Sequence, residues 1–227
     1  MSLDDPTASL AEWLGRAGDR PCVLPAADGR GARVAGELGV SSRALLDAVA
    51  RRAAGIAVDD GWIRILASGA DGMHADLASW NGLGAAPIFA MTPSLCVVGF
   101  DVLGGVFAMD AGALGGVERA GVHYFGPDTL RWEPLGAGYS AWLAWLLTDE
   151  ADVASFYEEA RWPSWRDEVR SLGFDEAIHV WPPAWTREGK DRARVSRRTM
   201  PAHVVVDTLF AAAREIDRYD VPGPRIA

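Results

Sequence analysis

The sequence has little of what marks a secreted or membrane-inserted protein. Its 227 residues include two cysteines, Cys22 and Cys96, each within a short apolar run that is typical of a strand. We interpret them as buried, reduced thiols rather than as a disulfide or a reactive thiol. The N-terminal residues form no signal peptide, and no apolar run is long enough to span a membrane. The sequence therefore predicts a cytoplasmic protein with no membrane partner.

Positive charge is also scarce. Lysine and arginine together number 22 against 31 acidic residues, which gives a formal net charge of −9. Binding to nucleic acid requires clustered positive charge that neutralises phosphates, so no nucleic-acid partner is predicted. An acidic surface suits a basic protein partner, although acidity also serves solubility.

Catalytic and metal-binding motifs are missing as well. The sequence contains no nucleophile elbow, no phosphate-binding glycine loop, no dinucleotide fingerprint and no zinc-protease motif. Its four histidines have no companion at the spacing of a metal-ligand pair. We therefore predict no catalytic residue, no metal and no cofactor.

Carboxylates do occur near the predicted turns. Asp101 and Asp110 flank Gly104–Gly105, whereas Asp128 and Glu133 flank the second strand of the next pair. We expect Asp128 to stabilise its turn and the other three to face solvent. The alternative is that two of these acids share a cleft and carry out general acid–base chemistry.

Strand pairs separated by glycine occupy the middle of the chain. Apolar runs flank Asp60–Gly61, Gly104–Gly105 and Gly126–Thr129, a pattern that predicts three hairpins. The predicted sheet is built around Ile56–Leu66 and Leu95–Leu135. Since its strands are mostly consecutive in the chain, we expect the sheet to be mixed or mainly antiparallel.

Helical periodicity appears on both sides of this strand block. Apolar spacing predicts a helix at Arg43–Ala54, capped by Ser41 or Ser42, and another that starts at Ser140 and reaches Leu147. Later segments predict helices at residues 149–160, 164–172 and 203–219. The tail after residue 220 is expected to fray.

This order of elements predicts an α+β fold, with the sheet packed by helices and a Trp-rich helical layer at the C-terminal end. There is no internal repeat and no long linker in the sequence. We therefore expect one domain over residues 1–227, with a core at about 40–148 and the helical layer at about 149–220.

Tryptophan is unusually concentrated in this last layer and in the residues just before it. Seven of the ten tryptophans lie within residues 132–185, and the pairs Trp142/Trp145 and Trp162/Trp165 have the spacing of a shared helix face. One interpretation is an aromatic groove for a partner; the other, which we favour, is a second core with satisfied indole N–H groups.

A few residues are better candidates for a binding surface. Trp80 and Asn81 lie in a glycine-rich, loop-like segment, and Trp181 precedes two prolines in a segment predicted to be extended. Arg187 begins a charged loop, which is either solvated or a site for an acidic partner. Irregular segments display such side chains well, so we expect Trp80 to be exposed. Trp62, Trp132 and Trp142 are expected to be buried instead.

Several motifs resemble a bacterial family that is described only as a domain of unknown function. The resemblance covers most of the chain and implies no activity. The segments that carry it are Gly61–Gly69, Ser79–Asn81, Gly104–Gly115, Tyr124–Leu135, Gly138–Ser140, Phe156–Tyr157, Arg161–Trp162 and Trp185–Gly189.

A looser likeness covers roughly Gly55–Leu147. The order of the elements in this region is similar to that of the SUKH superfamily. It consists of a strand, a Gly-Gly turn, two strands around a further turn and then a Ser-led helix rich in aromatic residues and leucine. That resemblance implies an α+β protein that binds a partner, either as an immunity protein against a bacterial toxin or as a regulatory scaffold. The Trp62 hairpin, the segment around Trp80 and the C-terminal Trp-rich layer depart from the SUKH pattern.

Two function classes follow from the sequence. The first is a non-enzymatic protein-binding module whose partner is a toxin or a regulatory protein. The second is a small-molecule-binding protein or enzyme with a cleft near Trp80, Asn81 and Asp101. The partner or ligand contacts predicted for these classes are Trp80, Asn81, Asp101, Trp181 and Arg187.

Overall fold

A computed structural model describes residues 5–39, 44–115, 121–217 and 221–227 of the chain. The predicted cap residues Ser41 and Ser42 lie outside these ranges. None of the helices in the described ranges has both the length and the apolar character needed to cross a membrane. The α-helices of the described residues are Pro6–Ala17 (α1), Arg30–Glu37 (α2), Leu45–Arg52 (α3), Leu77–Trp80 (α4), Tyr139–Thr148 (α5), Glu150–Phe156 (α6), Trp165–Arg170 (α7) and Ala202–Asp217 (α8).

Most of the strands join one large antiparallel sheet. Its order is β1-β2-β3-β5-β6-β7-β8, so it follows the chain with β4 left out, while β4 pairs with β11 and β9 pairs with β10. The predicted α+β class and mainly antiparallel sheet are confirmed. The strands are Cys22–Pro25 (β1), Ala53–Val58 (β2), Ile63–Leu66 (β3), Phe89–Ala90 (β4), Leu95–Asp101 (β5), Val106–Asp110 (β6), Val122–Phe125 (β7), Trp132–Ala137 (β8), Glu176–Trp181 (β9), Ser196–Pro201 (β10) and Arg225–Ile226 (β11).

The three predicted hairpins are all present, as β2–β3, β5–β6 and β7–β8. In the first of them, Asp59, Asp60 and Gly61 have φ values of 55°, 55° and 89°. Aspartate and glycine tolerate this left-handed region better than other residues, which is why the Asp-Gly pattern identified the turn.

Helices cover both faces of the sheet. On one face Phe107 and Tyr124 are cross-strand partners, and the Phe107 ring centroid lies 5.3 Å from that of Trp142 on α5. Side chains alternate along a strand, so Phe125 points to the other face, where it stacks on Phe210 of α8 at 4.0 Å. The sheet is therefore a central layer between α5 and α8.

Most of the tryptophans belong to the hydrophobic core or pack against it, as predicted. The expectation that their indole N–H groups are satisfied is wrong for Trp62 and Trp142, whose buried Nε1 atoms have no hydrogen-bond partner among the described residues. Trp62 contacts Tyr157, Trp162 and Trp165 at centroid distances of 5.2–5.7 Å, so the C-terminal aromatics close over the β2–β3 hairpin. The buried tryptophans of the described residues are Trp13, Trp62, Trp80, Trp142, Trp162 and Trp165. The expectation that Trp132 is buried is wrong, since its side chain is only half-buried on edge strand β8. Trp181 is exposed.

The predicted fraying of the C-terminal tail is wrong. Val221 is buried, and Arg225 and Ile226 pair with Ala90 and Phe89. The Trp132 indole also donates a hydrogen bond of 2.8 Å to the Pro222 carbonyl. These contacts order the tail because they satisfy both its backbone and its apolar side chains.

Two further expectations about burial are wrong. Cys22 is exposed because β1 is an edge strand, and Cys96 is only half-buried; both are free thiols. Asp101 and Asp110 are buried rather than solvent-facing, because their carboxylates accept backbone N–H groups of the turns that follow them.

Candidate functional site

A cleft of about 670 Å³ opens between three segments of the chain. The β7–β8 turn at Gly126–Thr129 forms one side, and the end of α6 with the 3₁₀ turn Glu158–Ala160 forms the second. Lys190 and Arg192, from the connection between β9 and β10, form the third. We call this feature the Phe156 cleft after the aromatic residue that lines it.

Phe156 is one of the few large apolar side chains exposed in the described part of the chain, with 40% of its surface accessible. Its ring is held by other aromatics, with centroids 4.8 Å from Tyr157, 5.3 Å from Tyr124 and 5.6 Å from Trp145. An aromatic ring fixed in this way presents apolar surface at little entropic cost, which favours its use as a binding contact.

Behind this wall lies a buried carboxylate. Asp101 Oδ2 accepts hydrogen bonds from the hydroxyls of Tyr124, at 2.6 Å, and Tyr157, at 3.2 Å. Its Oδ1 accepts from the backbone N–H groups of Leu103 and Gly105, at 2.8 and 3.0 Å. A Cβ on Gly105 would lie 2.2 Å from Oδ2, so only glycine fits beside the carboxylate.

Burial is the main influence on the pKa of the Asp101 carboxylate. Burial raises the pKa of Asp101 above its ordinary value, although the four hydrogen bonds act in the opposite direction. Burial and the adjacent Asp101 charge also raise the pKa values of Tyr124 and Tyr157 well above normal. Both tyrosines therefore keep their protons and act as hydrogen-bond donors, and the network fixes the wall of the cleft.

The rim of the cleft carries charges of both signs. Asp128, Glu133, Glu158 and Glu159 are all exposed and line it, so acidic groups outnumber the two basic ones. The rim is therefore acidic, like the chain as a whole.

Arg192 is the more buried of the two basic groups. It donates a hydrogen bond of 3.0 Å to the Gly189 carbonyl, while its buried Nε has no partner among the described residues. Burial lowers the pKa of Arg192, and the negative charge of Asp128 partly offsets that effect.

Comparison with known proteins identifies the family. A family model described as "Protein of unknown function DUF2625" matches residues 2–205. The chain belongs to the DUF2625 family. This confirms the predicted membership of an uncharacterised bacterial family, whereas the likeness to the SUKH superfamily stays a prediction.

Two relatives of this DUF2625 chain share most of its length. "Putative uncharacterized protein YbfG" of Escherichia coli strain K12 is 34% identical over 186 residues, which cover 82% of each chain. An "Uncharacterized protein" of Haemophilus influenzae is 28% identical over 182 residues, which cover 80% of this chain and 78% of that one. No solved structure matches this chain.

The prediction of an exposed Trp80 is wrong. Only 1% of its surface is accessible, and its ring stacks on Phe100 at 4.6 Å and meets Phe89 edge-on at 5.2 Å. The physical reason is a helical turn, α4, where a loop was expected. Asp76 caps this turn by accepting the N–H groups of Ala78 and Ser79, and the turn directs Trp80 into the core.

Asn81 and Asp101 do not join Trp80 in an open cleft. The Asn81 carboxamide bonds to the backbone of Leu77 and Val97, so it holds α4 against β5. Asp101 is fully enclosed behind Tyr124 and Tyr157. The cleft predicted near Trp80, Asn81 and Asp101 is therefore not formed by these side chains, and Tyr124 and Tyr157 stand between Asp101 and the Phe156 cleft.

Trp181 and Arg187 do reach the surface. Trp181 ends β9 opposite Ser196 and leaves 63% of its surface accessible, and Arg187 is exposed in the connection to β10. That same connection supplies Lys190 and Arg192 to the Phe156 cleft. The sequence around Phe156 contains no signal for the cleft, because three segments distant in the chain form it.

In the described ranges, no group of three or more histidine, cysteine, aspartate or glutamate side chains is arranged to hold a metal ion.

Proposed function

We propose that this chain is a non-enzymatic protein-binding module, and that the Phe156 cleft receives a basic segment of its partner. The observation that carries the proposal is an exposed Phe156, packed on three aromatic rings, inside an acidic cleft of about 670 Å³. Aromatic anchors of this kind account for much of the binding energy at protein interfaces.

Charge supports a basic partner. The chain has a net charge of −9, and acidic side chains also predominate at the rim of the cleft. Complementary charge mainly accelerates encounter and selects the partner, whereas the apolar contact slows dissociation. Binding at this cleft should therefore weaken as salt concentration rises.

The connection between β9 and β10 extends the proposed interface. It begins after the exposed Trp181, continues through Arg187 and reaches the cleft at Lys190 and Arg192. The antiparallel β9–β10 pair supports both ends of this segment. Trp181 and Arg187 remain proposed contacts, at the periphery of a site whose centre is Phe156.

The finer role in this proposal is toxin immunity or regulatory scaffolding in the cytoplasm. Its support is the sequence likeness to the SUKH superfamily, together with the acidic surface. The single-domain organisation proposed from the sequence has one further support, because a hydrophobic cluster extends from Leu10 to Val221.

A small-molecule ligand or substrate is the second candidate. It is favoured by the Tyr124 and Tyr157 hydroxyls, which converge on Asp101 at the wall of the same cleft. Against a catalytic role, both Asp101 oxygens are already occupied by four protein donors, and the carboxylate does not reach the cleft.

Affinity capture from native lysate, followed by calorimetry with the purified partner, tests the proposal. Phe156→Ser should weaken binding by about tenfold or more, and Trp181→Ala by less. Ile216→Ala is the matched control, because Ile216 is an exposed apolar residue on α8 that does not line the cleft.

The outcomes separate the two candidates. A stoichiometric basic protein retained by wild type and Ile216→Ala but lost with Phe156→Ser supports the module. A partner held equally by all three proteins would overturn the proposed cleft. A co-purifying metabolite released by Phe156→Ser, with no protein partner, would favour the second candidate.

A further inference from the structure

Arg64 is a charged residue in an otherwise apolar strand, and it is almost completely buried. It lies on β3 between Ile63 and Ile65, and only 2% of its surface is accessible. Its Nε and Nη1 atoms are buried with no hydrogen-bond partner among the described residues. The charge of Glu176 acts on the guanidinium from a distance, but it fills neither of these donors. Buried donors without a partner are costly, so the presence of Arg64 requires an explanation.

The backbone leaves room for this side chain. A Cβ on Gly61, whose φ is 89°, would lie 2.7 Å from Arg64 Nη1, so glycine at this position clears space for the guanidinium. The Phe174 ring lies on another side, with its centroid 5.9 Å from Cζ. That distance allows a cation–π contact, which uses no N–H donor.

Arg64 lines a second cleft, of about 340 Å³, which shares no lining residue with the Phe156 cleft. We call it the Arg64 cleft. Its apolar wall includes Leu24, Leu172 and Phe174, and the exposed thiol of Cys22 also lines it. A volume of this size falls in the range of small-molecule sites.

The other charges of this cleft are largely paired. Arg170 bonds to Asp60 at 2.7 Å, and Arg20 bonds to Glu150 at 3.1 Å. Asp19 adds a negative charge at the exposed rim. Burial lowers the pKa of Arg64 to about 10, so the guanidinium remains charged at neutral pH. Arg64 is thus a cation with unused donors beside an apolar wall.

We propose that the Arg64 cleft binds a small organic anion, whose carboxylate or phosphate pairs with the Arg64 guanidinium while its apolar part contacts Phe174 and Leu172. Guanidinium donors match both oxyanions in geometry, and the pair replaces an uncompensated buried charge with a compensated one. This site is independent of the proposed protein-binding role.

Ligand protection of Cys22 tests the proposal directly. Alkylation of each cysteine by iodoacetamide is followed by mass spectrometry, with benzoate, phenyl phosphate, inorganic phosphate and neutral benzamide as probes at millimolar concentration. Benzoate or phenyl phosphate should slow the modification of Cys22 by about tenfold near saturation, and benzamide should not. Cys96, which does not line this cleft, is the internal control.

Substitution at Arg64 supplies the second arm. Arg64→Met should weaken binding of the protecting anion by about tenfold or more, since it removes the charged donor. The free variant should melt at or above the wild-type temperature, because an unpaired buried charge is replaced by an apolar group. Arg16→Met, which removes an exposed cation on α1 that does not line this cleft, is the control and should retain binding.

The outcomes decide between binding and a purely structural Arg64. Benzoate protection identifies a carboxylate site, and phenyl phosphate protection a phosphate site. If inorganic phosphate protects Cys22 as strongly as phenyl phosphate does, the proposed apolar contact with Phe174 and Leu172 is wrong. If neither organic anion protects Cys22, or if Arg64→Met is less stable than wild type and binds equally well, the proposal is wrong.

Discussion

The Asn81 carboxamide pairs with the backbone of Val97 as a neighbouring strand would. Its Nδ2 donates to the Val97 carbonyl at 2.8 Å, and its Oδ1 accepts from the Val97 N–H at 2.7 Å. On that side of β5, strand β3 pairs only with Gly99–Asp101. Asn81 thus continues the ladder past the end of β3, and one side chain satisfies two groups that would otherwise be left unpaired.

Replacing this amide should destabilise the fold without altering the core. Asn81→Leu removes both bonds to Val97 and should cost about 1–3 kcal/mol of unfolding free energy. Urea denaturation measures the loss, and hydrogen exchange at the Val97 amide should accelerate. An unchanged exchange rate would mean that β5 does not depend on this pairing.

Trp80→Ala should destabilise the protein as severely as Trp142→Ala. Both indoles are almost inaccessible, and removal of a large core aromatic costs about 3–5 kcal/mol. Thermal and urea melts of the two variants provide the measurement, with Trp181→Ala as the exposed control. A Trp80→Ala variant as stable as Trp181→Ala would contradict its place in the core.

The ion pair between Arg161 and Asp59 should behave as a buried pair. The two side chains are only 10% and 12% accessible, and the guanidinium lies over the Trp165 ring at 4.3 Å. Arg161→Met keeps the contact with the aromatics but leaves the carboxylate uncompensated, which should cost about 3 kcal/mol. Adding Asp59→Asn should restore much of that loss in a double-mutant cycle.

The cost of Arg161→Met should also depend on pH. Burial already raises the pKa of Asp59, and the Arg161 charge is the main opposing influence. Without the Arg161 charge, the pKa of Asp59 in the folded state should rise further. Above about pH 4 the folded variant therefore keeps a proton on Asp59 that the unfolded chain has released. Its stability should fall as pH rises through and above about 4, which Asp59→Asn should prevent. Equal losses at pH 4 and pH 7 would contradict this electrostatic origin.

Glu168 should contribute stability that is lost in acid. Burial acts to raise its pKa, but hydrogen bonds from Ser164, Trp162 and Arg197 outweigh this and lower it. A lowered folded-state pKa means that the stabilisation is complete above the unfolded value and declines as pH falls below about 4.5. Glu168→Gln should therefore show a flatter stability profile at acid pH than wild type. Glu12→Gln, on the exposed side of α1, controls for the change in net charge.

Local signals in the sequence located most of the large sheet. Asp60–Gly61, Gly104–Gly105 and Gly126–Thr129 identified hairpins because turn chemistry requires only neighbouring residues. By contrast, β10 at Ser196–Pro201 contains two arginines and no apolar alternation, so its sequence predicts a charged loop. Its pairing with β9 depends on tertiary contacts that the local pattern does not contain.

The candidate sites were harder to foresee than the sheet. Aspartate is a preferred N-cap residue, so Asp76 is a local signal for α4 and for a Trp80 that lies in a helical turn. The Phe156 cleft had no such signal, since its walls come from segments separated by dozens of residues. The burial of Arg64 was also hidden, because an arginine among isoleucines is equally typical of a strand with one solvent-facing side chain.

The strand order of the large sheet determines which of its edges could pair with another copy of this protein. Among the described residues, no further strand pairs with β1 or with β8, and an open edge is a template for a strand from another molecule. Each edge strand contains a proline, Pro25 in β1 and Pro134 in β8, and proline offers no N–H to an incoming strand. Both open ends of the sheet thus resist the edge-to-edge stacking that leads to fibrous aggregates.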